Sequence, residues 1–238
     1  MKYKDIRAFQ PKGLKTDFII CPYCYLLSPF FTKFFVRHHI IPNTVTILMI
    51  LSGLLGAVLF AVPFLPLQIL GVIFIHVWFI LDCSDGEVAR ITKRFSTFGT
   101  EIDYTAHIIN HPCFSLSFLL AVCFTGRYPM LLFGLLLFVF TALESMGRHL
   151  CSFHLIYDMK LPGEKKEEKS SFLKGCILYI VNSLTVYPVF ALVFPLLFFL
   201  DGIFGLQTGL GLLIVFVGMN LLVIPRQVYK WVKKIAVK

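Results

Sequence analysis

Residues 67–91 read LQILGVIFIHVWFILDCSDGEVARI, an apolar run that ends in acidic side chains and an arginine. As a helix, this stretch would extend about 37 Å, which is enough to cross the hydrocarbon core of a bilayer. Carboxylates such as Asp82 and Asp85 are costly at this depth unless they are paired, bind a metal or face a wet cavity. The stretch therefore predicts a transmembrane helix with a polar site near one end.

The composition of the whole chain agrees with a membrane protein. Of 238 residues, 58% are hydrophobic and 15% charged, and the mean hydropathy is +0.82. Soluble domains carry about 25% charged residues. These values exclude a disordered chain and a small secreted disulfide scaffold. They predict an all-α polytopic membrane protein.

Five further apolar segments bring the predicted number of transmembrane helices to six. The predicted spans are Asn43–Val62, Leu67–Ile91, Gly99–Phe124, Tyr128–Tyr157, Phe172–Leu200 and Leu206–Val228. Ahead of them, Lys15–Arg37 mixes aromatic residues with basic ones and contains two prolines, which favours an amphipathic helix in the membrane interface. We expect an interfacial segment over residues 1–42, a membrane domain over 43–232 and a cytosolic tail over 233–238.

The basic residues predict the orientation of the chain in the membrane. With six spans, every lysine and arginine except Arg127 falls on one side of the bilayer. The positive-inside rule then places both termini in the cytosol. The net charge of +9 is explained by this topology, and it requires no nucleic-acid partner.

Acidic residues of two successive spans are spaced so that they could share one site. Asp82, Asp85 and Ala89 lie on one face of the second predicted helix, and Asp103 and His107 lie on one face of the third. A short basic turn joins the two helices, so the three carboxylates could converge near the cytosolic interface. Such a set of oxygen ligands suits Mg²⁺ or Mn²⁺. A divalent-cation transporter is an alternative function, but it would place acids on several spans near the bilayer centre.

These residues resemble the signature of the CDP-alcohol phosphotransferases, D-x2-D-G-x2-A-R followed by a spacer and G-x3-D-x3-D. The chain has Asp82 to Arg90 and then, after eight residues, Gly99 to His107, and it differs from the pattern only at the last position. Pro42 to Thr46 also resembles the P-N-x-x-T that opens the first span in this family.

The resemblance implies a reaction, a site and partners. A CDP-linked donor would bind at the cytosolic face, an alcohol acceptor would attack its distal phosphorus, and CMP would leave. One or two Mg²⁺ or Mn²⁺ ions would hold the diphosphate, and family members are usually homodimers. The implied metal ligands are Asp82, Asp85 and Asp103. The implied substrate-binding residues are Asn43, Thr46, Gly86, Ala89, Arg90 and Gly99.

His107 stands where the family has its last Asp, the proposed general base. An imidazole can accept a proton from an alcohol at neutral pH, so His107 is the predicted catalytic residue. His111, one turn further along, is an alternative base, and a catalytically silent protein is a third interpretation. The donor also stays open between CDP-diacylglycerol, which the length of the chain favours, and a CDP-linked polar alcohol with a lipid or glycan acceptor.

Overall fold

The structure is a computed structural model that describes residues 3–10, 22–96, 98–158 and 183–236. Every regular element within these ranges is an α-helix. The helices are α1 (Tyr3–Arg7), α2 (Pro22–Arg37), α3 (Pro42–Ala61), α4 (Leu65–Thr92), α5 (Gly99–Thr125), α6 (Met130–Asp158), α7 (Tyr187–Phe204) and α8 (Thr208–Ala236). The all-α prediction is confirmed.

Helices α3 to α8 are each long and apolar enough to cross a membrane, so the predicted number of six transmembrane helices is confirmed. The protein is an integral, multi-pass membrane protein. Most boundaries fall within a few residues of those predicted. Helix α8 is longer than its apolar span and continues through Ala236.

The fifth span is the exception, because the predicted segment Phe172–Leu200 is not one continuous helix. The chain turns at Leu184 and Thr185, and α7 begins only at Tyr187. Pro188 in the first turn of α7 has no backbone N–H to offer a preceding helix, which explains why the helix starts here. The prediction for residues 172–182 lies outside the described residues.

The predicted N-terminal interfacial segment contains α2, which begins at Pro22; the predicted residues 15–21 lie outside the described part of the chain. Helix α2 buries Ser28, Thr32 and Phe35 and leaves Phe30 and Phe34 more than half exposed. Its buried stripe packs against α4. This two-sided character fits a helix that lies along the bundle at the membrane surface.

Helix α3 lies against both α4 and α5 and sets the distance between them. Gly56 and Gly71 allow the backbones of α3 and α4 to approach closely, since a Cβ on Gly71 would come within 2.6 Å of the Phe60 amide nitrogen. Small residues at such crossings are how membrane helices pack tightly. The close crossing fixes α4, and therefore its acidic end, relative to α3.

We predict that Gly71→Ala destabilises the protein, because the added methyl group meets backbone atoms that cannot rotate away. Overpacking of this kind costs about 1–3 kcal/mol. Gly218→Ala on α8 is the matched control, since a Cβ there meets no atom of the described residues within 4 Å. Thermal unfolding in detergent should show a lower Tm for Gly71→Ala only. Equal Tm values for the two variants would contradict the close crossing.

Candidate functional site

The acidic ends of α4 and α5 meet at one end of the bundle. Helix α4 ends where Lys93 adopts a left-handed conformation (φ 54°), and a short loop leads to the start of α5 at Gly99. Between the two helices the contact is made by side chains: the Trp78 ring packs edge-on against His107, with ring centroids 5.7 Å apart. The helices therefore face each other across a space that polar side chains line.

Asp82, Asp103 and His107 converge in this space. One ligand atom from each of the three lies within 4.8 Å of the others. His107 Nε2 is 3.1 Å from Asp82 Oδ1 and 3.6 Å from Asp103 Oδ1, and His107 is 7% exposed. We call these three residues the acidic cluster.

The acidic cluster fits a divalent cation. Asp103 Oδ1 is buried and has no hydrogen-bond partner among the described residues, although the side chain as a whole is 45% exposed. A buried carboxylate oxygen without a partner is costly, and a cation between the two carboxylates would satisfy it. Mn²⁺ accepts both carboxylate and imidazole ligands. Mg²⁺ prefers oxygen ligands, which the two carboxylates supply.

The predicted ligand Asp85 lies beside the acidic cluster and is not one of its three members. Its Oδ2 accepts a hydrogen bond of 2.8 Å from Thr46 Oγ1 on α3. Thr46 is buried, so this bond fixes the carboxylate of Asp85 against α3. The structure thus pairs one predicted metal ligand with one predicted substrate-binding residue.

A cavity of about 270 Å³ adjoins the acidic cluster, and both Asp85 and Asp103 line it. Its walls also contain all six predicted substrate-binding residues: Asn43, Thr46, Gly86, Ala89, Arg90 and Gly99. The loop after α4 adds Arg94, Phe95 and Ser96, which the sequence did not predict. Carboxylates and arginines that line one cavity suit a phosphate that arrives with a metal ion.

Gly86 makes room for the side chain of Arg90. A Cβ on Gly86 would lie 3.0 Å from Arg90 Nη1, whereas a Cβ on Gly99 would meet only Ser96 Cβ, at 3.6 Å. Arg90 Nε donates a hydrogen bond of 2.6 Å to the Phe9 carbonyl, which ties the guanidinium to the N-terminal segment.

Glu87 is a buried acid of the same helix to which the sequence reading assigned no role. It is 1% exposed, and its carboxylate accepts hydrogen bonds from Gln10 Nε2 (2.8 Å), Ser28 Oγ (2.6 Å) and Thr32 Oγ1 (2.6 Å). These bonds hold α2 and the end of the α1 segment on α4. Position 87 is about 200° from position 85 around the helix. This helical spacing alone predicts that Glu87 faces away from the cavity.

A second set of buried polar groups extends from the acidic cluster toward α6. His107 Nδ1 lies 3.2 Å from His111 Nε2, and His111 Nδ1 lies 3.2 Å from Glu144 Oε1. The same Glu144 oxygen accepts a hydrogen bond from Arg148 Nε (3.0 Å) and forms an ion pair with Arg148 Nη2 (2.9 Å). The imidazole of His111 stacks on the Tyr187 ring, with centroids 4.2 Å apart.

The comparison with known families agrees with this geometry. Residues 39–218 match the family model described as CDP-alcohol phosphatidyltransferase, a range that holds the acidic cluster and the cavity. The chain belongs to this family. No curated protein sequence matches the chain significantly. Membership supports transfer of a phospho-alcohol group from a CDP-alcohol, and the family uses a divalent metal ion.

We predict that Thr46→Val lowers the affinity for Mn²⁺, because Asp85 loses the donor that orients it while the side chain keeps its shape. Loss of a group that orients a metal ligand typically costs about 10–100-fold in metal affinity or activity. Thr44→Val is the control, since Thr44 is exposed and lies two residues before Thr46, about 200° away around α3. Titration with Mn²⁺ should separate the two variants, and identical affinities would show that Asp85 does not depend on Thr46.

Proposed function

We propose that the protein transfers a phosphatidyl or other phospho-alcohol group from a CDP-linked donor to an alcohol acceptor and releases CMP. The observation that carries the proposal is the cavity next to the acidic cluster, which is lined by Asp85, Asp103, Arg90 and Arg94. The carboxylates could hold metal ions, and the two arginines supply fixed positive charge. A diphosphate needs both to balance its negative charge.

In this proposal Asp82, Asp85 and Asp103 hold one or two Mg²⁺ or Mn²⁺ ions. Bound ions would neutralise the charge of the diphosphate and of the departing CMP. Thr46 keeps Asp85 in place, and Arg90 and Arg94 supply positive charge to the phosphate oxygens. Asn43, Gly86, Ala89 and Gly99 shape the part of the cavity that receives the nucleotide.

His107 is the proposed general base. Its Nε2 points at the carboxylates of the acidic cluster, and an acceptor hydroxyl that approaches this place could reach the phosphorus of a diphosphate held by the site. As the acceptor oxygen attacks, its proton passes to this nitrogen, and the bond between phosphorus and the CMP oxygen breaks. Proton transfer to a positioned base contributes roughly 10²–10⁴ to a rate.

We infer a lipid-linked substrate, with CDP-diacylglycerol as the favoured donor. An apolar groove of about 620 Å³ runs between α2, α3 and α4, lined mainly by Phe and Leu side chains. Leu81 is part of its wall, and the next residue, Asp82, belongs to the acidic cluster. An acyl chain in this groove would keep a polar headgroup close to the cluster. A CDP-linked polar alcohol with a lipid acceptor would use the same groove. The resemblance to the family also leads us to propose a homodimer.

The decisive experiment is CMP release by the purified protein in nanodiscs from a panel of CDP-linked donors. The proposal predicts release from CDP-diacylglycerol in the presence of Mg²⁺ or Mn²⁺ and a small polar alcohol, and no release with EDTA. Release only from CDP-linked polar alcohols would reassign the donor. A folded protein that releases no CMP from any donor would be catalytically silent.

We predict that Asp85→Asn abolishes turnover while the protein stays folded, because the amide keeps the shape but loses the charge that a cation needs. Glu101→Gln is the matched control: Glu101 lies on α5, is exposed, and does not line the cavity. Full activity of Asp85→Asn in the presence of EDTA would show that the metal assignment is wrong.

We propose that the active site lies on the cytosolic side, the side on which the predicted topology places every basic residue except Arg127. Arg127 follows the end of α5 and is therefore at the opposite end of the bundle from the acidic cluster. A reporter fused after Lys238 should read cytosolic, and cysteine labelling at position 127 should read external. The reverse pattern would contradict the proposed orientation.

A further inference from the structure

The side chains that connect the acidic cluster to α6 form a chain of hydrogen bonds with a direction. Glu144 is 7% exposed, and one of its oxygens receives both His111 and the guanidinium of Arg148. An ionised carboxylate has acceptors only, and a guanidinium at 2.9–3.0 Å stabilises that ionised form. The hydrogen between Glu144 and His111 therefore lies on His111 Nδ1.

The position of this hydrogen also determines which nitrogen donates between His111 and His107. It is 2% exposed, enclosed by the Tyr187 and Trp78 rings, and Arg148 already balances the charge of Glu144. Burial disfavours the charged form of an imidazole, so His111 is neutral and carries one hydrogen only. Its Nε2 is then an acceptor, and His107 Nδ1, at 3.2 Å, must be the donor.

We propose that Glu144 is a positioning residue that acts through His111 to set the tautomer of His107. Nδ1 of His107 keeps its hydrogen, so Nε2, the nitrogen that faces Asp82 and Asp103, is the ring nitrogen whose lone pair can become free when a cation compensates the two carboxylates. This inference rests on the proposed function, in which His107 Nε2 must accept a proton; a nitrogen that binds a cation needs the same lone pair.

The hydrogen bonds from Glu144 through His111 matter because the acidic cluster by itself favours the opposite tautomer of His107. Asp82 Oδ1 is 3.1 Å from His107 Nε2, so a neutral His107 without His111 would place its hydrogen on Nε2 and donate it to the carboxylate. In that form Nε2 can neither accept a proton nor bind a cation. Glu144 opposes this outcome through His111, which lies between Glu144 and His107. The buried Asp of a Ser-His-Asp triad fixes the tautomer of its histidine in a similar way.

Two variants of Glu144 separate positioning from packing. Glu144→Leu removes the acceptor, whereas Glu144→Gln keeps an amide oxygen that can still accept from His111 and Arg148. The ring nitrogens of His107 are observed by ¹⁵N NMR of histidine-labelled protein in nanodiscs with Mg²⁺ and without substrate. The signals are assigned by their loss in His107→Gln.

The parent and Glu144→Gln should show hydrogen on Nδ1 and none on Nε2, and Glu144→Leu should lose this pattern. In the CMP-release assay, kcat of Glu144→Leu should fall by about 10–100-fold, with the KM for the donor unchanged. His111→Phe, which keeps the ring beside Tyr187 but removes both nitrogens, should match Glu144→Leu and serves if that variant does not fold.

An unchanged His107 tautomer in folded Glu144→Leu or His111→Phe would overturn the inference. So would Glu144→Gln behaving like Glu144→Leu, since loss of charge alone would then explain the effect. The NMR measurement needs no turnover. A parent protein that releases no CMP would therefore refute the proposed function and leave the test of the tautomer intact.

Discussion

The constraint on which the site depends is the repulsion between carboxylates that face each other at the end of a membrane helix pair. Asp82 on α4 and Asp103 on α5 both lie within 3.6 Å of one imidazole nitrogen, and one Asp103 oxygen has no partner among the described residues. Positive charge between the two carboxylates stabilises such an arrangement at the end of a membrane helix pair. The acidic cluster therefore fits a cation, and the surrounding bundle supplies the rigidity that holds the carboxylates together.

That rigidity comes from three directions. Helix α3 crosses α4 closely at Gly56 and Gly71, and its Thr46 holds Asp85. Helix α2 is attached to the opposite side of α4 through the buried carboxylate of Glu87. On the side of α6, Glu144 orients the histidines of α5. Each contact leaves the cavity side of α4 and α5 free for a substrate, while the apolar surface of the bundle remains available to lipid.

The sequence predicted the features that depend on local patterns. Apolar runs set the spans, and spacing along single helices placed Asp82, Asp103 and His107 correctly enough for the structure to bring them together. The six residues that the resemblance predicts to bind substrate line one cavity. Features that depend on packing between distant segments were missed. The start of α7 follows from Pro188 and not from hydropathy. The partners of Glu87 lie 55 to 77 residues away in sequence, and Glu144 lies 33 residues from His111, so no local pattern reveals them.

The most direct test of the central claim is to measure the binding of Mn²⁺ to the purified protein without substrate. The EPR signal of free Mn²⁺ reports how much of the ion is bound. The account predicts saturable binding of at least one ion by the parent and a large loss of affinity in Asp103→Asn, because the unpartnered Oδ1 of Asp103 is the oxygen that a cation would satisfy. Equal Mn²⁺ binding by the parent and by folded Asp103→Asn would contradict it.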